Sequence, residues 1–147
     1  MQNTDIRPID ILIVEDNQGD ARLILEVLKD AKVFNLPHIV RDGVEAINYL
    51  KKKGEYANAD SPDLILLDLN LPKKDGREVL SDIKSNDLLK KIPVVIMTIS
   101  QAEEDIVRSY NLHANCYITK PIDLNQFVKV VKSIEEFWFS IVKLPPK

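Results

Sequence analysis

Four apolar runs along the chain each end in polar residues suited to phosphoryl or metal chemistry. The first run ends in Glu15 and Asp16, the second in Asp68, the third in Thr98 and the fourth in Lys120. Carboxylates bind divalent cations and can act as nucleophiles, a hydroxyl donates a hydrogen bond, and an ammonium group pairs with anionic oxygen. Together these side chains could hold one phosphoryl group beside a metal ion.

The runs alternate with segments whose apolar residues recur at helical spacing. This alternation occurs five times, which is typical of βα units that build a parallel sheet. The predicted strands cover residues 9–15, 37–41, 63–67, 92–98 and 115–119. We therefore predict an α/β fold with a doubly wound, five-stranded parallel sheet of the flavodoxin-like (βα)5 type, with strand order 2-1-3-4-5.

Five helices are predicted from apolar residues that share one face. The first four are marked by Ala21, Ile24, Leu25, Leu28 and Ala31, by Val44, Ile47 and Leu50, by Val79, Leu80 and Ile83, and by Ile106, Val107 and Tyr110. Asp20 precedes the first of these faces, where its charge suits the N-terminal end of a helix dipole. The fifth helix is predicted to run from Asp123 toward Val142.

In such a sheet, ligands bind outside the carboxyl ends of the strands, where the strand order reverses. Three carboxylates gathered there repel one another unless a cation shares the site. Mg²⁺ prefers oxygen ligands and retains water, so it suits this cluster. We predict Asp16 and Asp68 as direct ligands, Glu15 as a ligand through water, and the backbone carbonyl of Asn70 as a further ligand.

The remaining groups are predicted to act on the phosphoryl group itself. Asp68 can attack phosphorus and form an acyl phosphate, while Thr98 donates a hydrogen bond to one phosphoryl oxygen and Lys120 pairs with another. A cis peptide bond between Lys120 and Pro121 is predicted, because a tight turn there would direct the ammonium group.

These residues stand within a larger pattern. It comprises Glu15-Asp16-Asn17, Asp68 followed by Leu71-Pro72 and Asp75-Gly76, Pro93 to Thr98, and Lys120-Pro121. In this arrangement the chain resembles the receiver domain of two-component response regulators over essentially its full length, residues 1–147. The resemblance implies that Asp68 is the phosphoacceptor, that Thr98 and Tyr117 form a switch pair, and that Lys120 is the phosphate partner.

A narrower resemblance involves two segments, Ile134 to Trp138 with Leu144-Pro145-Pro146, and Asn115 to Lys120. They are similar to stand-alone receivers that work with phytochrome-type histidine kinases. The resemblance implies a single-domain response regulator that takes a phosphoryl group from a kinase and signals by a conformational or oligomeric change. It implies a signalling protein that catalyses only its own phosphotransfer and dephosphorylation.

Two other classes are compatible with parts of the pattern. Enzymes of the haloacid-dehalogenase type also use a nucleophilic aspartate and Mg²⁺, but they carry a second aspartate two residues later, where this chain has Asn70. A pseudo-receiver would bind partners without taking phosphate. It would typically have lost Asp68, Lys120 or the acidic pair, and the chain has all of them.

Composition narrows the expected partners. The net charge of −3 and pI near 5.4, with no basic block, argue against nucleic-acid binding. Cys116 is the only cysteine, which excludes an internal disulfide and favours a small buried side chain in a cytoplasmic protein. No apolar run approaches the roughly 18 residues of a membrane span, so no membrane association is expected. His38 and His113 lack neighbours at metal-ligand spacing.

The C-terminal helix and tail, from about residue 123, carry more apolar residues than one buried face needs. One stripe comprises Phe127, Val130, Ile134, Trp138 and Ile141, and another comprises Val128, Val131, Phe139 and Val142, with Phe137 outside both. Such an excess favours a homodimer through this region. The alternative is that the tail folds back over its own domain.

Ile99 directly follows Thr98, where receivers usually carry a small residue. Its bulk is expected to restrict access to the phosphoryl group, so we predict slow phosphotransfer or slow hydrolysis. We expect Ile99→Ala to accelerate at least one of these steps. Intact mass, followed after addition and then removal of acetyl phosphate with Mg²⁺, measures both, and two unchanged rates would contradict the prediction.

Overall fold

A computed structural model describes residues 8–30, 35–99, 102, 116–130 and 132, with only the backbone of Cys116. Five parallel strands in this part of the chain form one sheet in the order β2-β1-β3-β4-β5, as predicted. They are β1 (Ile9–Val14), β2 (Asn35–Val40), β3 (Leu64–Asp68), β4 (Val94–Thr98) and β5 (Cys116–Thr119). The α-helices are α1 (Gln18–Asp30), α2 (Gly43–Leu50) and α3 (Gly76–Ser85), with a 3-10 turn at Gly54–Tyr56 and helical residues 124–130.

The strand register brings the carboxyl ends of four strands to one edge. Val14 of β1 pairs with Leu67 of β3, Asp68 pairs with Met97 of β4, and Thr98 pairs with Thr119 of β5. The residues that follow these positions therefore leave the sheet side by side.

Both faces of the sheet are apolar, as expected for central parallel strands covered by helices. Alternate residues of a strand enter different cores: in β1, Ile11 and Ile13 face one core, while Leu12 and Val14 face the other. Helix α1 covers the first core together with the helical residues 124–130, which contribute Phe127 and Val130. Helices α2 and α3 cover the second core. None of the described helices combines the length and apolar character needed to cross a membrane.

The apolar face of α2 differs from the prediction. Val44, predicted to face the core, is 46% exposed, and the large buried side chains are Tyr49 and Leu50. Asp42 accepts a hydrogen bond from the N–H of Glu45 and caps the helix, which begins at Gly43. The buried face runs through Gly43, Ala46 and Leu50, because Gly43 lies against Lys74 and the other two pack into the core.

Several predicted features lie outside the described residues. They are the fourth helix with Ile106, Val107 and Tyr110, the end of the first helix at Ala31, His113 and Asn115, and all of the C-terminal tail after residue 132. Within the described part, Phe127 and Val130 are buried, which agrees with the first C-terminal stripe, and Val128 of the second stripe is 37% exposed.

The loop between β3 and α3 rests against the start of α2. A Cβ atom on Gly43 would overlap the backbone carbonyl of Lys74, so the two segments approach as closely as a glycine allows. Lys73 has a positive φ of 65°, and its Nζ lies 3.5 Å from Asp42 Oδ2. Because the loop starts directly after Asp68, the contact at Gly43 helps to set the path of the chain leaving that residue.

We expect Gly43→Ala to lower the free energy of unfolding by about 1–3 kcal/mol, because the added methyl group meets backbone atoms that can yield only by moving the loop. Urea denaturation measures this change. Gly19→Ala is the matched control in the first turn of α1, since the nearest atom to its added methyl group is a side-chain oxygen of Asn17 at 3.3 Å and no backbone atom overlaps it. An equal effect of the two substitutions would contradict the close approach at Gly43.

Candidate functional site

The edge formed by the carboxyl ends of the strands carries a cluster of three carboxylates. Oxygen atoms of Glu15, Asp16 and Asp68 all lie within 4.8 Å of one another. Glu15 and Asp68 are 1% and 4% exposed, whereas Asp16 is exposed. The N–H of Glu15 donates to the carbonyl of Val40 on β2, which holds the acidic pair against the sheet.

The pKa of Glu15 reflects this crowding. Burial is the main cause that raises it to about 7, and the neighbouring Asp68 carboxylate acts in the same direction, while Lys120 opposes both. Burial and the Asp68 carboxylate therefore both disfavour the ionised form of Glu15.

Lys120 supplies positive charge to the cluster. Its Nζ lies 2.6 Å from Glu15 Oε1, 3.1 Å from Asp68 Oδ2 and 3.1 Å from Asp20 Oδ2. Burial opposes the charge of this side chain, but Glu15, Asp68 and Asp20 outweigh burial and raise its pKa above the usual value. The peptide bond from Lys120 to Pro121 is cis, as predicted.

Thr98 is 1% exposed at the end of β4, and its Oγ1 has no hydrogen-bond partner among the described residues. A buried hydroxyl without a partner is costly, so its retention is typical of a group that serves a ligand. Tyr117, on the neighbouring strand, is half-buried and packs against the same core that receives its paired residue Ile96. The predicted switch residues thus lie on adjacent strands.

Asn70 lies next to the cluster. Its backbone N–H donates to Asp68 Oδ1 at 3.1 Å, which fixes the rotation of the Asp68 carboxylate. The predicted metal ligand is the backbone carbonyl of Asn70, not this N–H, and its role as a ligand stays a prediction.

A divalent cation fits this donor set. Three carboxylates converge from two strands, and oxygen donors of this kind suit a hard cation that keeps part of its water shell. The ammonium group of Lys120 offsets only part of the negative charge, so a bound cation would relieve the repulsion that remains.

Residues 11–132 match the family described as "Response regulator receiver domain". The chain belongs to this family. It is therefore a receiver-domain response regulator of two-component signalling, as the resemblance predicted. All of the predicted site residues lie within the matched range.

Close relatives of this receiver are known. Response regulator Rcp1 from Synechocystis sp. (strain ATCC 27184 / PCC 6803 / Kazusa) is 53% identical over 135 residues, 92% of each chain. The phosphorylated cyanobacterial phytochrome response regulator RcpA is 57% identical, with a TM-score of 0.76 over 95% of this chain and 100% of its own. The Mn²⁺-bound form of Rcp1 is 52% identical, with a TM-score of 0.74 and the same coverage. They confirm the predicted resemblance to phytochrome-associated response regulators.

One residue of this receiver site was not identified from the sequence. Asp20 was interpreted only as a charge at the helix N-terminus, yet it contacts Lys120 across 100 positions of the chain. The spacing of an aspartate and a lysine so far apart carries no signal by itself. Ile99, which directly follows Thr98, is 63% exposed.

Without divalent ions, we expect Asp16→Asn to raise the melting temperature by roughly 2–4 °C, because it removes one of three mutually repelling carboxylates. Mg²⁺ is expected to stabilise the wild-type chain and to stabilise Asp16→Asn less. Thermal unfolding in EDTA and in Mg²⁺ measures both effects. Glu26→Gln, on an exposed position of α1, is the control. A lower melting temperature of Asp16→Asn in EDTA would contradict this reading of the cluster.

Proposed function

We propose that the chain accepts a phosphoryl group from a histidine kinase onto Asp68, with Mg²⁺ as cofactor, and signals through the resulting change in conformation or assembly. The observation that carries this proposal is the position of Asp68. Its carboxylate is buried, its Oδ1 is held by the Asn70 N–H, and its Oδ2 lies 3.1 Å from Lys120 Nζ. The phosphorylated relative RcpA supports the same chemistry.

In this reaction an Asp68 oxygen attacks phosphorus as the P–N bond of a phosphohistidine breaks. The imidazole nitrogen keeps the electron pair of that bond, and the product on Asp68 is an acyl phosphate. A divalent ion bound by Asp16, Asp68 and the carbonyl of Asn70, and by Glu15 through water, would supply positive charge beside the phosphoryl group. The Mn²⁺-bound form of Rcp1 supports a divalent ion in this role.

Two side chains are proposed to hold the phosphoryl oxygens. Lys120 already directs its ammonium group at Asp68, and the buried Oγ1 of Thr98 has a hydrogen bond to donate. When Thr98 turns toward the phosphoryl group, space opens beside it for Tyr117 on the adjacent strand. The Thr98 and Tyr117 pair would in this way transmit phosphorylation to the surface near β5.

The partners are inferred from the relatives and from exposed apolar residues. The phytochrome response regulator RcpA supports a phytochrome-type sensor kinase as the phosphoryl donor. Leu124 and Val128 are 39% and 37% exposed on residues 124–130, although Phe127 and Val130 already fill the core. This exposed pair supports the proposed homodimer through the C-terminal region. We place the protein in the cytoplasm, with no nucleic-acid or membrane partner, and as a signalling protein that hydrolyses only its own acyl phosphate.

We expect acetyl phosphate with Mg²⁺ to add one phosphoryl group to the wild-type chain and none to Asp68→Asn, because the amide cannot act as the nucleophile. Intact mass detects the adduct, and elution volume on size exclusion reports any change of assembly. Asp87→Asn is the matched control, since that side chain is 92% exposed and lies outside the site.

Two outcomes separate the proposal from its alternatives. An adduct that requires Mg²⁺, persists in Asp87→Asn and disappears in Asp68→Asn would support the receiver reaction. No adduct on the wild-type chain, from acetyl phosphate or from a histidine kinase, would instead favour a pseudo-receiver that signals without phosphorylation of Asp68.

A further inference from the structure

We propose that Asp20 is a positioning residue for the phosphoryl reaction, which directs the ammonium group of Lys120 at Asp68. This inference rests on the proposed function of Asp68 as the phosphoacceptor. Among the described residues, the Asp20 carboxylate forms its ion pair with Lys120 and has none with Asp68, so a positioning effect of Asp20 on the reaction passes through Lys120.

The ammonium group of Lys120 lies among as many carboxylates as it has N–H donors. A lysine has three N–H donors and no acceptor. Three carboxylates lie within reach of Lys120 Nζ, those of Glu15 at 2.6 Å and of Asp20 and Asp68 at 3.1 Å each. Asp20 and Asp68 each accept a hydrogen bond from this group, and Glu15 forms the third close ion pair, so removal of Asp20 would free the ammonium group to turn away from Asp68.

The position of Asp20 is itself fixed by the turn that carries the acidic pair. Its N–H donates to Asn17 Oδ1 at 2.9 Å, at the start of α1, and the N–H of Asn17 donates to Glu15 Oε2 at 3.2 Å. The two carboxylates that hold Lys120 from the α1 side are therefore connected through Asn17. Together they form a frame around the Lys120 ammonium group and restrict the rotation of its side chain.

The frame has a use in the reaction. As Asp68 becomes an acyl phosphate it loses its negative charge, and the donor that faced it can pass to a phosphoryl oxygen. The contacts of the ammonium group with Glu15 and Asp20 can persist through this change, because neither carboxylate takes part in the bond that forms. Because these contacts already exist before the reaction, fewer side chains must rearrange as the phosphoryl group is transferred.

A simple charge effect would have the opposite sign. Asp20 carries a negative charge near the place where an anionic phosphoryl donor must approach, and like charges repel. If Asp20 acted only through this field, its removal would accelerate phosphorylation. If it positions Lys120, its removal slows phosphorylation. The direction of the change therefore distinguishes the two roles.

The test compares Asp20→Ala, Asp20→Asn and Asp20→Glu with the wild-type chain. The rate of adduct formation on Asp68 is measured by intact mass in saturating Mg²⁺ over a range of acetyl phosphate concentrations. We expect Asp20→Ala to lower the maximal rate by about three- to tenfold, with little change in the concentration at half-maximal rate. Asp20→Glu is expected to recover most of the rate. Glu26→Ala, which removes an exposed carboxylate from the same helix, is the control.

The melting temperature of each variant shows whether the fold is retained, and Asp20→Asn, which keeps the shape of the side chain, replaces Asp20→Ala if that variant does not fold. An unchanged or faster rate in these variants, with normal phosphorylation of the wild-type chain, would overturn the inference alone. A slower rate that Asp20→Glu fails to recover would also overturn it. No adduct on the wild-type chain would overturn the proposed function and this inference with it.

Discussion

The contact between one ammonium group and several carboxylates is the interaction on which the rest of the site depends. Lys120 lies among Glu15, Asp20 and Asp68, and its side chain is only 13% exposed. Without it, two buried carboxylates would face each other in a setting of low polarity, which is strongly unfavourable. With it, the buried carboxylates of Glu15 and Asp68 share a positive partner at this edge of the sheet.

The parallel sheet makes this arrangement possible. Its strands are apolar on both faces, so the helices on either side bury them almost completely, and polar side chains are excluded until the strands end. Parallel strands all end at the same edge. The chain can therefore bring an acidic pair, a third carboxylate, a hydroxyl and an ammonium group to one edge, although they come from positions between 15 and 120 of the sequence.

The site contains buried polar groups that lower the stability of the fold. Thr98 buries a hydroxyl without a partner among the described residues, and Glu15 has a pKa raised to about 7, chiefly by burial. Local features that oppose stability and that cluster in one place are typical of a functional site. A divalent ion and a phosphoryl group would satisfy both, since the first adds positive charge and the second adds hydrogen-bond acceptors.

The sequence by itself determined the sheet, its strand order and the residues at its functional edge. It did so because buried parallel strands have short, continuous apolar sequences. The polar residue after each of these runs must lie at the edge of the sheet formed by the carboxyl ends of the strands. The spacing of Glu15-Asp16, Asp68, Thr98 and Lys120-Pro121 was also enough to indicate the receiver family, which the comparisons confirmed.

Only the tertiary structure decided how distant elements meet. The contact of Asp20 with Lys120 depends on how α1 lies beside the turn after β5, and the approach of Gly43 to Lys74 depends on how α2 lies beside the loop after β3. The exposure of Val44 depends on which face of α2 lies against Lys74 and the sheet. Periodicity and spacing are properties of neighbouring residues, whereas these contacts join segments that become neighbours only when the chain has folded.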